Sequence, residues 1–226
     1  MFQIKICGIT CVEDALAVRH AGGDAIGLNF AAQSIRCVDL QQAKAISAAL
    51  GERVLKVGVF VNASPAEIFR TASTVGLDIV QLHGDEPPEY LPQLAPLPVV
   101  KAFRIRDQPQ PLREVADYLA ACRRLGCLPS LVLLDAFSPA GYGGTGERID
   151  WRSASQYPLE PWHPPLVLAG GLKPDNVAEA ISIVRPAAVD VASGVESSPG
   201  KKDPALIGQF VAAARRAFGR LREAEK

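Results

Sequence analysis

Gly22-Gly23-Asp24-Ala25-Ile26 decides the fold, because the chain repeats it. It returns as Gly76-Leu77-Asp78-Ile79-Val80 and, more loosely, as Ala188-Val189-Asp190-Val191. In the first two a glycine turn leads through aspartate into an apolar run. The aspartates are separated by 54 and 112 residues. Read as two and four units, those gaps give a unit of 27 or 28 residues, and one eighth of the 226-residue chain is about 28. Equal units of helix, turn and strand are what an eightfold barrel requires. An open doubly wound sheet has the same alternation, and Gly-x-Asp is also a common helix-to-strand turn. The even spacing favours the barrel.

Outward from that repeat, short apolar runs alternate with longer amphipathic ones. Strands are predicted at Gln3–Cys7, Asp24–Phe30, Val54–Val61, Asp78–His83, Val99–Arg104, Leu131–Asp135, Leu166–Ala169 and Ala188–Val191. Helices are predicted at Val12–His20, Leu40–Leu50, a segment opened by Ser64-Pro65-Ala66-Glu67, Pro87–Leu94, Pro111–Leu125, Lys173–Val184 and Pro204–Leu221. Asp150–Gln156 is at most a short helix, because Pro158, Pro161, Pro164 and Pro165 follow. Ser64 is placed as an N-cap, Pro65 at the first helical position and Glu67 as the partner in a capping box. Strands joined by helices are parallel, and valine- and alanine-rich strands fit a sheet covered on both faces. No linker or shift in composition divides the chain. The expectation is an α/β protein, a single (β/α)8 TIM barrel over residues 1–226.

Composition excludes several classes of function. Lys+Arg and Asp+Glu are 24 each, so no basic excess points to nucleic acid or an anionic membrane. No apolar run approaches the roughly 20 residues of a membrane span. The five cysteines, Cys7, Cys11, Cys37, Cys122 and Cys127, are odd in number and read as reduced thiols. No basic start followed by an apolar stretch marks a secretory leader, and the expected location is cytoplasmic. Only three histidines occur, His20, His83 and His163, too few and too scattered to suggest a zinc site, and no metal is expected.

In a barrel, chemistry gathers where strands end and run into helices. Those ends carry Cys7, then Ser34 and Arg36, Gln81 and His83, Arg104, Asp135, Gly170-Gly171, and Ser193-Gly194. The glycine pairs follow strands seven and eight, the usual phosphate seat of such a barrel, where backbone N–H groups meet an anion. Cys7 lies two residues after Lys5, so both face one side of the strand, and a neighbouring cation favours a thiolate. A buried cysteine is otherwise a small core residue. Asp135 closes the apolar run Leu131–Leu134, where desolvation suits a general acid, although it could equally cap a loop or pair with Lys5. Arg36 has the fork to clamp a carboxylate.

Lys5-Ile6-Cys7-Gly8-Ile9-Thr10, Val80-Gln81-Leu82-His83-Gly84-Asp85-Glu86, Gly143-Gly144-Thr145-Gly146, Ala169-Gly170-Gly171-Leu172 and Val189-Asp190-Val191-Ala192-Ser193-Gly194-Val195-Glu196 resemble, in order along the whole chain, phosphoribosylanthranilate isomerase. The resemblance implies a barrel enzyme of tryptophan biosynthesis that needs no cofactor. It implies an Amadori rearrangement of N-(5-phosphoribosyl)anthranilate to 1-(2-carboxyphenylamino)-1-deoxyribulose 5-phosphate. Cys7 matches the family's general base, Asp135 its general acid and Arg36 the arginine at the anthranilate carboxylate. His83, Gly170, Gly171, Ser193 and Gly194 are expected to bind substrate. The implied partner is a phosphorylated small molecule, with the protein a monomer or homodimer. Two departures stand out: Ile35 replaces the family's proline in Ser34-Ile35-Arg36, and Ala192 stands where serine is frequent.

Overall fold

A computed structural model describes residues 1–105, 112–136 and 150–224. Eight parallel strands close into a barrel in sequence order: β1 (Ile4–Cys7), β2 (Ala25–Asn29), β3 (Leu55–Phe60), β4 (Ile79–Leu82), β5 (Val99–Ile105), β6 (Leu131–Ala136), β7 (Leu166–Leu168) and β8 (Ala188–Val191). Closure is made by β1 against β8, with Lys5 opposite Asp190. The crossovers carry α1 (Val12–Ala21), α2 (Leu40–Leu50), α3 (Pro65–Val75), α4 (Tyr90–Leu94), α5 (Arg113–Arg124), α6 (Trp151–Ala154) and α7 (Val177–Val184), and α8 (Pro204–Ala224) follows β8.

Alternation along the strands separates two apolar regions. Ala25, Val57, Ile79, Val100, Leu131, Leu133, Val167 and Ala188 fill the barrel. Ile4, Ile6, Ile26, Leu28, Val80, Leu82, Val132 and Leu134 face the helices. Burying each such side chain is worth about 1.5–3 kcal/mol, so the strand faces are held strongly. Lys5, Cys7, Gln81, His83, Asp135 and Asp190 therefore share the inner face with the barrel filling. Lys101 does not: its neighbours Val100 and Ala102 point inward, and its Nζ binds the Gly84 carbonyl and Glu86 at 2.7 and 2.9 Å.

The repeated aspartates have a structural task. Asp24 accepts from the Gln3 and Ile4 N–H groups at 3.0 and 2.8 Å, and Asp78 from that of Lys56 at 2.8 Å. Each stands just before its strand and ties down the start of the preceding one. Asp190 is not a third copy. It is the third residue of β8 and points into the barrel, so the looser match in sequence is a coincidence of spacing.

Helix ends follow their signals in part. Ser64 accepts from the Glu67 N–H at 3.3 Å with Pro65 in the first turn. The reciprocal capping box forms elsewhere, between Asp39 and Gln42. Tyr90–Leu94 is shorter than expected because the preceding prolines leave Pro87 and Pro88 outside the helix. Beyond β8 the sequence reading missed a short 3-10 turn, Ser193–Val195, and an antiparallel hairpin of β9 (Glu196–Ser198) and β10 (Lys201–Lys202). Its turn chemistry, Ser198-Pro199-Gly200, is visible, but the flanks are too short and polar to mark as strands. Among the described residues no helix is long and apolar enough to cross a membrane.

Candidate active site

The C-terminal ends of the strands form one mouth, and most of the expected residues reach it. Cys7 ends β1 on the inner face, with Lys5 two residues deeper in the barrel. Gly27, its register partner on β2, makes room: a Cβ there would come within 2.5 Å of the sulfur and 3.1 Å of the Lys5 Nζ. Lys5 is fully buried and its Nζ donates to Asp190 Oδ2 at 2.8 Å. Lys5 thus serves Cys7 and Asp190, not Asp135. Burial lowers the Lys5 ammonium, but Asp190 and Cys7 outweigh it and its pKa is raised. Burial pushes the Cys7 thiol up, Asp190 adds to this, and Lys5 and Lys202 oppose it. Asp190 Oδ1 is buried without a partner among the described residues.

Asp135 lies across the ring on β6, with β7 and β8 between it and β1. Its Oδ1 accepts from the Ala136 N–H at 2.8 Å, and its Oδ2 is 3.4 Å from His83 Nε2. Gln81 Nε2 lies 2.8 Å from His83 Nδ1. With the amide donating, Nδ1 accepts, and Nε2 is the ring nitrogen that faces the Asp135 side, without a hydrogen bond among the described residues. Gly170, at φ +83°, passes so close that a Cβ would fall 2.6 Å from the Ala136 nitrogen and 3.1 Å from Asp135 Oδ1. That glycine leaves room for the carboxyl as well as turning the chain.

The glycine loops after β7 and β8 are in contact. A side chain on Gly194 would run into the Leu172 carbonyl. Asn176 steadies the first loop, accepting from the Lys173 N–H at 2.8 Å and donating to the Gly171 carbonyl at 3.0 Å. Ser193 and Gly194 open the 3-10 turn, whose first N–H groups find no partner within it. The stretch Gly143-Gly144-Thr145-Gly146 lies outside the described residues.

Arg36 is 8% exposed, a buried arginine rather than a surface one. Its stem lies over Gly8, at φ +73°, where any Cβ would collide with it. Gly8 is therefore the seat of Arg36 as well as a turn after Cys7. The guanidinium binds Glu196 with two hydrogen bonds of 2.7 Å, and Lys202 Nζ binds the same carboxylate at 2.7 Å. Composition and spacing gave no sign of this triad, because Glu196 and Lys202 are brought to Arg36 by the unforeseen hairpin. Glu86 was likewise passed over. It is 2% exposed and accepts from the Asn62 and Gly84 N–H groups and from Lys101, which fixes the loop after His83. Among the described residues no three or more His, Cys, Asp or Glu side chains group as a metal ion requires.

A family model described as N-(5'phosphoribosyl)anthranilate (PRA) isomerase matches residues 4–213. An N-(5'-phosphoribosyl)anthranilate isomerase from Geobacter sulfurreducens is 46% identical over 219 residues, covering 97% of this chain and 100% of the relative. A crystal structure of phosphoribosyl anthranilate isomerase from Thermotoga maritima superposes with a TM-score of 0.82 at 41% identity, covering 96% of this chain and 100% of that one. Another, in complex with reduced 1-(o-carboxyphenylamino)-1-deoxyribulose 5-phosphate, gives a TM-score of 0.80 at 39% identity, with the same coverage.

Proposed function

The chain belongs to the N-(5'-phosphoribosyl)anthranilate isomerase family, an isomerase of tryptophan biosynthesis, and on that premise we propose that Cys7 and Asp135 are its base and acid. Residues 1–226 act as one catalytic domain in this reading. The substrate is the phosphorylated aminoaldose carrying anthranilate on C1. Asp135 protonates the ribose ring oxygen, and the ring opens to a Schiff base. Cys7, as thiolate, takes the proton from C2, and the enolamine that results tautomerises to the aminoketone. The observation that carries the reading is the placement of both groups on the inner face of one barrel mouth, at the ends of β1 and β6.

The surroundings of the two groups suit their tasks. A thiol pushed up by burial is a stronger base once ionised, and Lys5 and Lys202 favour the ionised form. His83 Nε2 lies 3.4 Å from the oxygen that Asp135 would leave charged after giving up its proton, near enough to favour the carboxylate formed. Arg36 receives the anthranilate carboxylate. Gly170, Gly171, Ser193 and Gly194 present backbone N–H groups to the phosphate, with Gly170 also clearing space for Asp135. One barrel carries the whole set, so the reading holds for a monomer or a homodimer. Its location in a cell is the cytoplasm in this reading.

The test follows loss of the fluorescent anthranilate substrate by wild type, Cys7→Ser and Asp135→Asn. Each variant is expected to lose about 10²- to 10⁴-fold in turnover, the usual share of a general acid or base. Near-wild-type turnover in either one removes that residue from its role.

A further inference from the structure

Arg36 reaches the mouth already engaged. Its Nε and Nη2 meet the two oxygens of Glu196 at 2.7 Å each, the fork-on-fork geometry of a strong ion pair. Lys202 Nζ donates to Glu196 Oε1 at 2.7 Å and to the Ala192 carbonyl at 2.9 Å. The side chains of Arg36, Glu196 and Lys202 are 10, 4 and 0% exposed. Two buried cations share one anion. With Glu196 ionised, the cluster keeps one positive charge, which is costly unless an anion arrives to meet it. Arg36 Nη1 makes no hydrogen bond among the described residues.

The hairpin that carries Glu196 is tied to the Cys7 side of the barrel. Thr10 Oγ1 donates to the Gly200 carbonyl at 3.1 Å, and Asp14 accepts from the Lys202 N–H at 3.1 Å. Gly200 N–H also donates to Glu196 Oε2 at 3.3 Å. Ile35, beside Arg36, is 67% exposed and cannot stiffen its loop as a proline would. Constraint on Arg36 comes instead from the hairpin that follows β8.

We propose that Glu196 is the positioning residue for Arg36: it holds one edge of the guanidinium so that the other edge meets the substrate's carboxylate, and Lys202 holds Glu196. This rests on the carboxylate-binding reading of Arg36 given above. An arginine fixed in advance loses less side-chain freedom when substrate binds. Glu196 is well suited to the part, since burial raises its pKa but Arg36 and Lys202 more than offset this and keep it lowered.

The test compares two ligands, reduced 1-(o-carboxyphenylamino)-1-deoxyribulose 5-phosphate and its phenylamino counterpart without the carboxyl. Dissociation constants are measured for wild type, Glu196→Gln, Glu196→Ala and Arg36→Met, together with kcat and KM. The Glu196 variants are expected to weaken the carboxylated ligand roughly tenfold, the scale of a misplaced binding group, and to leave the other within about twofold. KM rises and kcat holds. Equal weakening of both ligands, or a fall in kcat at constant KM, overturns the proposal, because a merely structural role affects both alike. If Arg36→Met itself fails to discriminate, the reading of Arg36 fails. If Arg36→Met discriminates and the Glu196 variants do not, only the positioning role fails. Glu196→Gln combined with Lys202→Met removes the buried cation as well and supplies the same comparison if a single variant does not fold.

Discussion

The two sides of the barrel mouth are built differently. Around Cys7 the chain places Lys5, Arg36 and Lys202, with Asp190 and Glu196 as their two carboxylate partners. Around Asp135 it places an imidazole, an amide behind that imidazole, and a backbone N–H. One side is an array of buried charge, and the other sets an imidazole and a backbone N–H beside a single carboxyl. A buried thiol resists ionisation, so only nearby cations make it a base. A carboxyl that must give up its proton needs only a donor to face it afterwards. The contrast teaches that each half of the mouth compensates for the charge its residue has to carry.

The largest expected effect on this contrast comes from Lys5→Met. It removes a cation beside Cys7 and leaves Asp190 buried and unpaired, at a cost of about 3–5 kcal/mol in stability by denaturant titration. The alkaline-rising limb of kcat/KM should move to higher pH, because the cation that favours the thiolate is gone. Adding Asp190→Asn should restore much of the stability and move the limb part of the way back, because Asp190 itself raises the Cys7 thiol. Unchanged stability in the single variant would show that the pair is not the anchor described.

His83→Ala breaks the other side. Turnover should fall about tenfold, less than the roughly 10²- to 10⁴-fold share of the general acid itself, and the alkaline limb should stay in place. A limb that moves with His83 would mean that the two sides are coupled. Gly27→Ala and Gly170→Ala compare steric clearance on the two sides. A methyl on Gly27 presses on the Cys7 sulfur, and one on Gly170 presses on Ala136 and Asp135. Each should destabilise by about 1–3 kcal/mol, with Gly170→Ala the worse because of its positive φ. Thermal midpoints check the order.

The smallest effect is on stability in alkali. The folded pKa of Cys7 is raised by burial, so its contribution is full below the unfolded value near 9.0 and is lost as pH rises through the folded value. Cys122, pushed up to about 11 chiefly by burial, adds a loss of the same sign. Stability measured from about pH 9 upward should therefore fall in wild type and fall less steeply in Cys122→Ala. An unchanged slope in that variant would show that its thiol titrates alike in both states.

Much of the barrel was legible because strand alternation and helix signals are local. Leu40–Leu50 is a helix over its predicted length, and eight strands stand within two residues of expectation at each end. Cys7 and Asp135 could be read from strand ends, since the inner face follows from counting by two. Arg36 was read as a carboxylate clamp, but the partner that holds it, Glu196, is 160 residues away and could not be read. His83 was expected at the mouth, but its neighbour there, Asp135, comes from a distant strand.

By itself the sequence determined the order of strands and helices, the face on which each strand residue lies, and the residue types available at the mouth. Those follow from periods of 2 and 3.6 and from turn chemistry, which act over a few positions. Tertiary structure alone decided the pairings: Lys5 with Asp190, His83 with Asp135, and Arg36 with Glu196 and Lys202. Closing the ring brings β8 and its following hairpin against β1. Charges distant in the chain then share a site with little water, where each must find a partner.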